Sequence, residues 1–243
     1  VRKSNREFST ITGTFNDRDV TIISSGIGTD NIDIVVNELD ALVNIDLVTA
    51  MPKEEKVSLN FVRLGTSGSL QGDIPAGSYL LTETAVGFDG LLHFYEGYDH
   101  LLDTALSDTI VYYTEWPDNL SYPYSIKADP TLLKLFDTGE FVKGITVSTP
   151  GFYAPQGRSL RLNHFDSEIN DKLADINFMG RKITNYEMES SAIYGLGRLL
   201  GHKTVTICVI IGNRVTGEFI ADYQPLMMNL AVKVLDKLPF TND

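Results

Sequence analysis

The run at residues 205–211, Val-Thr-Ile-Cys-Val-Ile-Ile, constrains this chain more than any other feature. It is the longest apolar stretch in the sequence, yet it falls far short of the roughly 20 residues that a membrane helix needs. A short apolar run that stops at a turn residue, here Gly212, reads as a buried strand. A buried strand has to be covered by other layers, and the rest of the sequence offers helices for that. Residues 31–43 carry apolar side chains at 32, 35, 36, 39, 42 and 43, and residues 188–200 and 225–238 read as further helices. Strand signals alternate with them. Residues 6–28 read as a hairpin, with strands at 8–15 and 20–24 around a polar turn at 16–19; further strands are expected at 61–64, 74–84 and 144–147. Residues 93–130, rich in aromatics, Asp and Pro, are expected to be irregular. The alternation argues for an α/β fold with a mixed sheet and ligand-binding loops after its strands.

The chain has 243 residues, enough for one α/β domain or at most two small ones, with a core that needs no staple. No repeat, low-complexity tract or linker interrupts it, so a single domain over residues 1–243 is expected. Lys and Arg number 20 against 32 Asp and Glu, a formal charge of −12. That balance argues against nucleic-acid or anionic-membrane partners, and an anionic ligand needs a local basic pocket set against the overall field. The one cysteine, Cys208, excludes an intramolecular disulfide and any multi-cysteine zinc site, and fits a reducing cytoplasm. The four histidines, at 93, 100, 164 and 202, show no metal-ligand spacing, so no catalytic metal is expected.

Four segments carry residue types suited to chemistry. Arg63-Leu64-Gly65-Thr66-Ser67-Gly68 puts a guanidinium at an expected strand end, before a loop of small residues whose amides and hydroxyls can converge on an anion. A tight turn beside a surface Arg fits the same residues. Gly26-Ile27-Gly28 lacks the full dinucleotide pattern and the GK[ST] of a P-loop, so close backbone packing explains it when read alone. Glu187-Met188-Glu189 is expected at the start of a helix, where positions i and i+2 face different ways and cannot form one paired site. Gln156 and Arg158 follow Phe152 and Tyr153 in a Pro/Gly loop. An amide, a guanidinium fork and an aromatic face can together read a planar heterocycle, although a surface loop explains them too.

Taken in order, Arg6-Glu7-Phe8, Ser25-Gly26-Ile27-Gly28, the segment 63–68, Phe152-Tyr153 with Gln156 and Arg158, Asn185 to Ser190, and Asn213-Arg214 cover nearly the whole chain. This ordered set resembles the uridine phosphorylase branch of the hexameric nucleoside phosphorylase family. The resemblance implies a three-layer α/β/α sandwich, a homo-oligomer (a hexamer built as a trimer of dimers) with sites shared between neighbours, and reversible phosphorolysis of uridine to uracil and ribose 1-phosphate. It assigns phosphate to Arg6, Arg63, Thr66 and Gly26, with Arg6 reaching the neighbouring subunit's site. It assigns ribose to Met188, Glu189 and Thr66, and the base to Phe152, Gln156, Arg158 and Arg214. The catalytic set it implies is Glu189, Arg63 and Arg158. It implies no resident cofactor beyond phosphate as co-substrate, with a weak monovalent-cation site, K+ at a dimer interface, at Glu7, Ile27 and Asn31. The family's first phosphate loop, with a second Arg, and a His from near the N-terminus lie outside this sequence, which opens at Val1 without an initiator Met; a preceding segment is expected.

The same residues support a mechanism. Breaking an N-glycosidic bond builds positive charge on the sugar and negative charge on the base. Glu189 and phosphate offset the first, and Arg158 and Gln156 stabilise the second. Purine-cleaving relatives place an Asp after the late buried strand, where this chain has Asn213 and Arg214. An amide cannot serve as a general acid, so uridine is expected to be preferred over inosine or adenosine. The alternatives are a nucleosidase, a phosphorylase of broader range and a non-catalytic nucleoside-binding protein.

Overall fold

The structure, a computed structural model, describes residues 1–238. Three antiparallel strands open it, β1 (Arg2–Asn5), β2 (Phe8–Phe15) and β3 (Arg18–Ile23), paired in chain order. The turn between β2 and β3 is tighter than expected. Only Asn16 and Asp17 form it, at φ of 49° and 61°, the backbone shape that matches a two-residue turn to the twist of its strands. After the loop 24–28 comes helix α1 (Thr29–Asn44), followed by a small ladder of β4 (Ile45–Asp46) and β5 (Met51–Pro52).

The other strands are β6 (Asn60–Ser69), β7 (Tyr79–Gly87), β8 (Tyr124–Lys127), β9 (Val142–Ser148), β10 (Asn177–Phe178), β11 (Arg181–Glu187) and β12 (Lys203–Asn213). They form one mixed sheet in the order β10-β11-β6-β12-β7-β8. Strand β9 runs parallel to both β11 and β7, so the ring β11-β6-β12-β7-β9 closes on itself. The apolar run at 205–211 is the heart of β12, parallel to β6 and antiparallel to β7.

Helices α2 (Thr104–Thr114), α3 (Pro130–Phe136), α4 (Ile169–Asp175), α5 (Ser190–Leu199) and α6 (Gln224–Lys237) cover the sheet. Because side chains alternate along a strand, the sheet feeds two cores. Leu81, Ala85, Val205, Ile207 and Val209 meet α1, α3, α5 and α6 through Ile32, Val36, Phe136, Tyr194 and Leu230. Val86, Ile145, Val147 and Ile183 meet α2 and α4 through Leu106, Ile110, Ile169 and Leu173. Helices on both sides of a mixed sheet make the three-layer α/β/α arrangement.

Four local expectations change. Residues 65–68 are not a loop: β6 runs on to Ser69, because Gly65 to Ser67 pair with Cys208 to Ile210 of β12. The strand expected from 74 starts at Tyr79, after a turn closed by the Gly77 N–H on the Ile210 carbonyl at 2.7 Å. The stretch 93–130 holds α2 and β8, whose buried faces are masked in the sequence by exposed Tyr112, Tyr113 and Tyr122. Residues 184–187 lie in β11 and not at a helix start, which reshapes the site.

Candidate active site

Arg63 lies in the fourth position of β6, and its guanidinium folds back over Gly65, the residue two places on and on the same face. A Cβ at Gly65 would come within 2.5 Å of Arg63 Nη1, so only glycine leaves room for that pose. Two carboxylates meet the guanidinium: Glu187 Oε2 at 3.1 Å from Nη1, and Glu189 Oε2, which accepts from Nη2. The expectation that Glu187 and Glu189 cannot share a site is therefore wrong. Helical spacing separates i and i+2, but Glu187 ends a strand and Glu189 precedes a helix, and the chain turns between them so that both point at Arg63.

Glu189 is also tied to the loop after β3. Its Oε1 accepts from the Gly28 backbone N–H at 2.7 Å. Gly28 has φ of 95°, a conformation that L side chains rarely adopt, and this is what aims the N–H at the carboxylate. Gly26 and Ile27 complete the loop, with the Asn31 amide donating to the Ile27 carbonyl at 2.8 Å. Burial raises the Glu189 pKa against the pull of Arg63, and the neighbouring Glu187 charge raises it further. Burial opposes the Arg63 charge, yet the two carboxylates outweigh it and hold the guanidinium firmly protonated. Cys208, the cross-strand partner of Gly65, accepts from Arg63 Nη1 at 3.4 Å; burial pushes its thiol up to about 12, so it stays neutral.

A second cluster gathers where β9, β6 and β12 end. Gln156, on the short turn Ala154–Gln156, is 3% exposed, not a surface residue. Its Oε1 accepts from Arg158 Nη1 and from Arg214 Nη2, the latter at 2.9 Å, while its Nε2 donates to Thr149 Oγ1 at 3.0 Å. Arg214 Nη1 also donates to the Gln156 carbonyl at 2.9 Å. The Arg158 guanidinium lies 3.8 Å from the centre of the Phe152 ring, and Arg214 lies 5.0 Å from that of Tyr186. Burial, then the charge of Arg214, lowers Arg158 to about 10, which leaves it charged near neutral pH; burial lowers Arg214 too. The result is a half-buried cluster in which two cations converge on one amide beside an exposed aromatic face.

Strand β11 supplies a residue to each cluster, Tyr186 against Arg214 and Glu187 against Arg63. The structure thus brings together Arg63, Glu189 and the Gly26–Gly28 loop in one place, and Gln156, Arg158, Phe152 and Arg214 in another. Half-buried Met188 lies between the carboxylates, and Thr66 follows Gly65 on β6. Arg6 is not brought to either cluster within the chain: it sits at φ of 51° in the exposed turn between β1 and β2, with Glu7 beside it. Asn213 is wholly committed to a turn. Its Nδ2 donates to the Gln71 and Ile74 carbonyls at 2.9 and 2.8 Å, and its Oδ1 accepts from Val215 and Thr216 N–H at 2.8 and 3.0 Å. Sequence reading gives Glu187, Gly28 and Thr149 no individual role at the site. Glu187 had a signal in its spacing to Glu189, but the wrong secondary structure was attached to it.

The chain is 28% identical over 214 residues to the uridine phosphorylase of Thermococcus kodakarensis, an alignment that takes in 88% of this chain and 65% of that protein's length. It is 26% identical over 214 residues to the guanosine phosphorylase of Halorubrum lacusprofundi, covering 88% of this chain and 69% of that protein. It superposes with a TM-score of 0.84, at 26% identity, on the crystal structure of a Trypanosoma brucei nucleoside phosphorylase that shows uridine phosphorylase activity, covering 98% of this chain and 84% of that one. The profile of the phosphorylase superfamily matches residues 1–238, and the chain belongs to that superfamily.

Proposed function

We propose that the protein catalyses reversible phosphorolysis of uridine to uracil and ribose 1-phosphate, a step of pyrimidine nucleoside salvage. The observation that carries this reading is the meeting of Arg63 with Glu187 and Glu189, together with the convergence of Arg158 and Arg214 on Gln156. These supply a cation for an anionic nucleophile, a carboxylate for sugar hydroxyls and two guanidiniums for a departing base. In this reading, phosphate is the co-substrate, held by Arg63, Thr66 and the Gly26 loop, and the bound dianion is the positioned nucleophile. Glu189, with Met188, holds the ribose, and its charge offsets the positive charge that develops on the sugar. Arg158 and Arg214 stabilise the leaving uracil as an anion, spread over its carbonyl oxygens, so the base needs no proton. The complete engagement of Asn213 in its turn supports that point, since no acid stands at that position.

The reading extends to assembly. Arg6 reaches the phosphate of a neighbouring subunit in a homo-oligomer, a hexamer of three dimers, and the chain works as one domain in the cytoplasm. Glu7, Ile27 and Asn31 form a site for K+ at the dimer interface. Support comes from the exposed position of Arg6 and from one buried, unpaired cysteine. The deciding experiment is uridine cleavage with and without inorganic phosphate. Release of uracil only when phosphate is present is the expected result; equal release in its absence would make the protein a nucleosidase.

A further inference from the structure

Glu187 is the last residue of β11 and is 4% exposed, and its carboxylate holds four donors from three parts of the candidate site. Its Oε1 accepts from Ser148 Oγ, at the end of β9. Its Oε2 accepts from the backbone N–H groups of Glu189 and Ser190, each at 2.9 Å, and lies 3.1 Å from Arg63 Nη1. A carboxylate this deeply buried is costly unless donors replace its water, and these donors do so. The partners on Oε2 are the two halves of the reaction centre. One is the guanidinium that takes phosphate; the others are the amides of the segment that carries the ribose carboxylate.

We propose that Glu187 is a positioning residue for phosphorolysis, its single carboxylate fixing the separation between the phosphate-binding guanidinium and the ribose-binding carboxylate. The proposal rests on the phosphorolysis reading given above. Glu187 touches neither substrate; it acts through Arg63 and through the backbone of Glu189. The contact has a consequence that a structural cap alone would not have. The charged and titratable groups facing Glu189 are Arg63 from β6, Glu187 from β11 and Cys208 from β12, with the Gly28 N–H as a further donor. Removing the Glu187 charge takes away a like charge and leaves Arg63 wholly to Glu189. Both effects lower the pH at which Glu189 titrates.

Glu187→Gln is nearly isosteric and keeps an oxygen for the two amides. It is expected to melt close to the wild type, yet to lose at least about tenfold in kcat with uridine and phosphate. Carboxyl-labelled glutamate followed by 13C NMR reads the second consequence without any turnover, the Glu189 signal being identified by its loss in Glu189→Gln. That signal is expected to titrate at lower pH in Glu187→Gln than in the wild type. An unmoved Glu189 titration, or wild-type kcat in Glu187→Gln, overturns the proposal. Ser148→Ala keeps the charge and removes the Oε1 anchor together with the acceptor of the Ser191 N–H, so it serves if the first variant does not fold; a severalfold fall in kcat is expected, and unchanged kcat counts against the proposal. If the wild type itself leaves uridine intact, the phosphorolysis reading fails, and the NMR titration still judges the Glu187 contact.

Discussion

Glu189 rests between a cation and a backbone N–H, and the reading of it as the ribose carboxylate makes two predictions at the scale of one residue. Glu189→Gln keeps the shape and loses the charge that faces the sugar, so about 2–4 kcal/mol of transition-state stabilisation should vanish from kcat/KM. Turnover at the wild-type level would show a carboxylate that only braces the start of α5. The pH dependence follows from sign. Burial raises the Glu189 pKa above its ordinary 4.5, and the ionised form is the working one. As pH falls, kcat/KM should therefore decline through a value above the usual glutamate range, and the decline should disappear in Glu189→Gln. Arg158 makes a third prediction. It and Arg214 confront the base with donors only, so Arg158→Ala should lower kcat/KM for uridine about 100-fold and narrow the preference for uridine over inosine. A variant that cleaves uridine normally would remove Arg158 from the base pocket.

Elements decide where those side chains can stand. Arg63 is reachable by both carboxylates because β6 continues as a strand past Gly65, which keeps Arg63 and Gly65 on one face. Far from the site, Arg18 at the start of β3 is buried against the end of α6. Its guanidinium donates to the Leu235 carbonyl at 2.7 Å and to the Leu238 carbonyl, capping carbonyls that the helix itself leaves open. This contact fastens the opening hairpin to the body of the fold. Arg18→Met keeps the apolar stem and should cost about 2 kcal/mol in urea unfolding, the size of a hydrogen bond to a charged group. An unchanged midpoint would mean that the hairpin docks on α6 without help from Arg18. Much at this scale was legible in the sequence. The helical spacing of residues 31–43, the hairpin and the apolar run at 205–211 all became the elements they suggest. Residues 65–68 and 184–187 did not, because small and polar residues imitate a loop or a helix start when the strands that pair with them are distant in the chain.

At the scale of the whole molecule, the position of Arg6 matters most. Within one chain it stands in an exposed turn away from Arg63, so a shared site can be tested by mixing two defective proteins. Arg6→Ala and Arg63→Ala should each be nearly inactive. Mixed in equal amounts and allowed to exchange subunits, they should recover about a quarter of wild-type activity, because half the dimers are then mixed and each carries one intact site. No recovery after proven exchange would confine the site to one subunit. The sequence by itself determined the fold class, the charge balance that makes nucleic acid a poor partner, and the residue types of the candidate site, because these follow from composition, periodicity and short spacing. Only the tertiary structure decided that Glu187 and Glu189 share Arg63, that Gln156 is buried under two guanidiniums, and that Asn213 is spent on a turn. Each of those facts depends on atoms that lie far apart along the chain. The pairing of β6 with β11 and β12 brings Arg63 to the carboxylates and Asn213 to the Gln71 and Ile74 carbonyls, and β9, parallel to β11, leads into the loop of Gln156; no local pattern encodes those pairings.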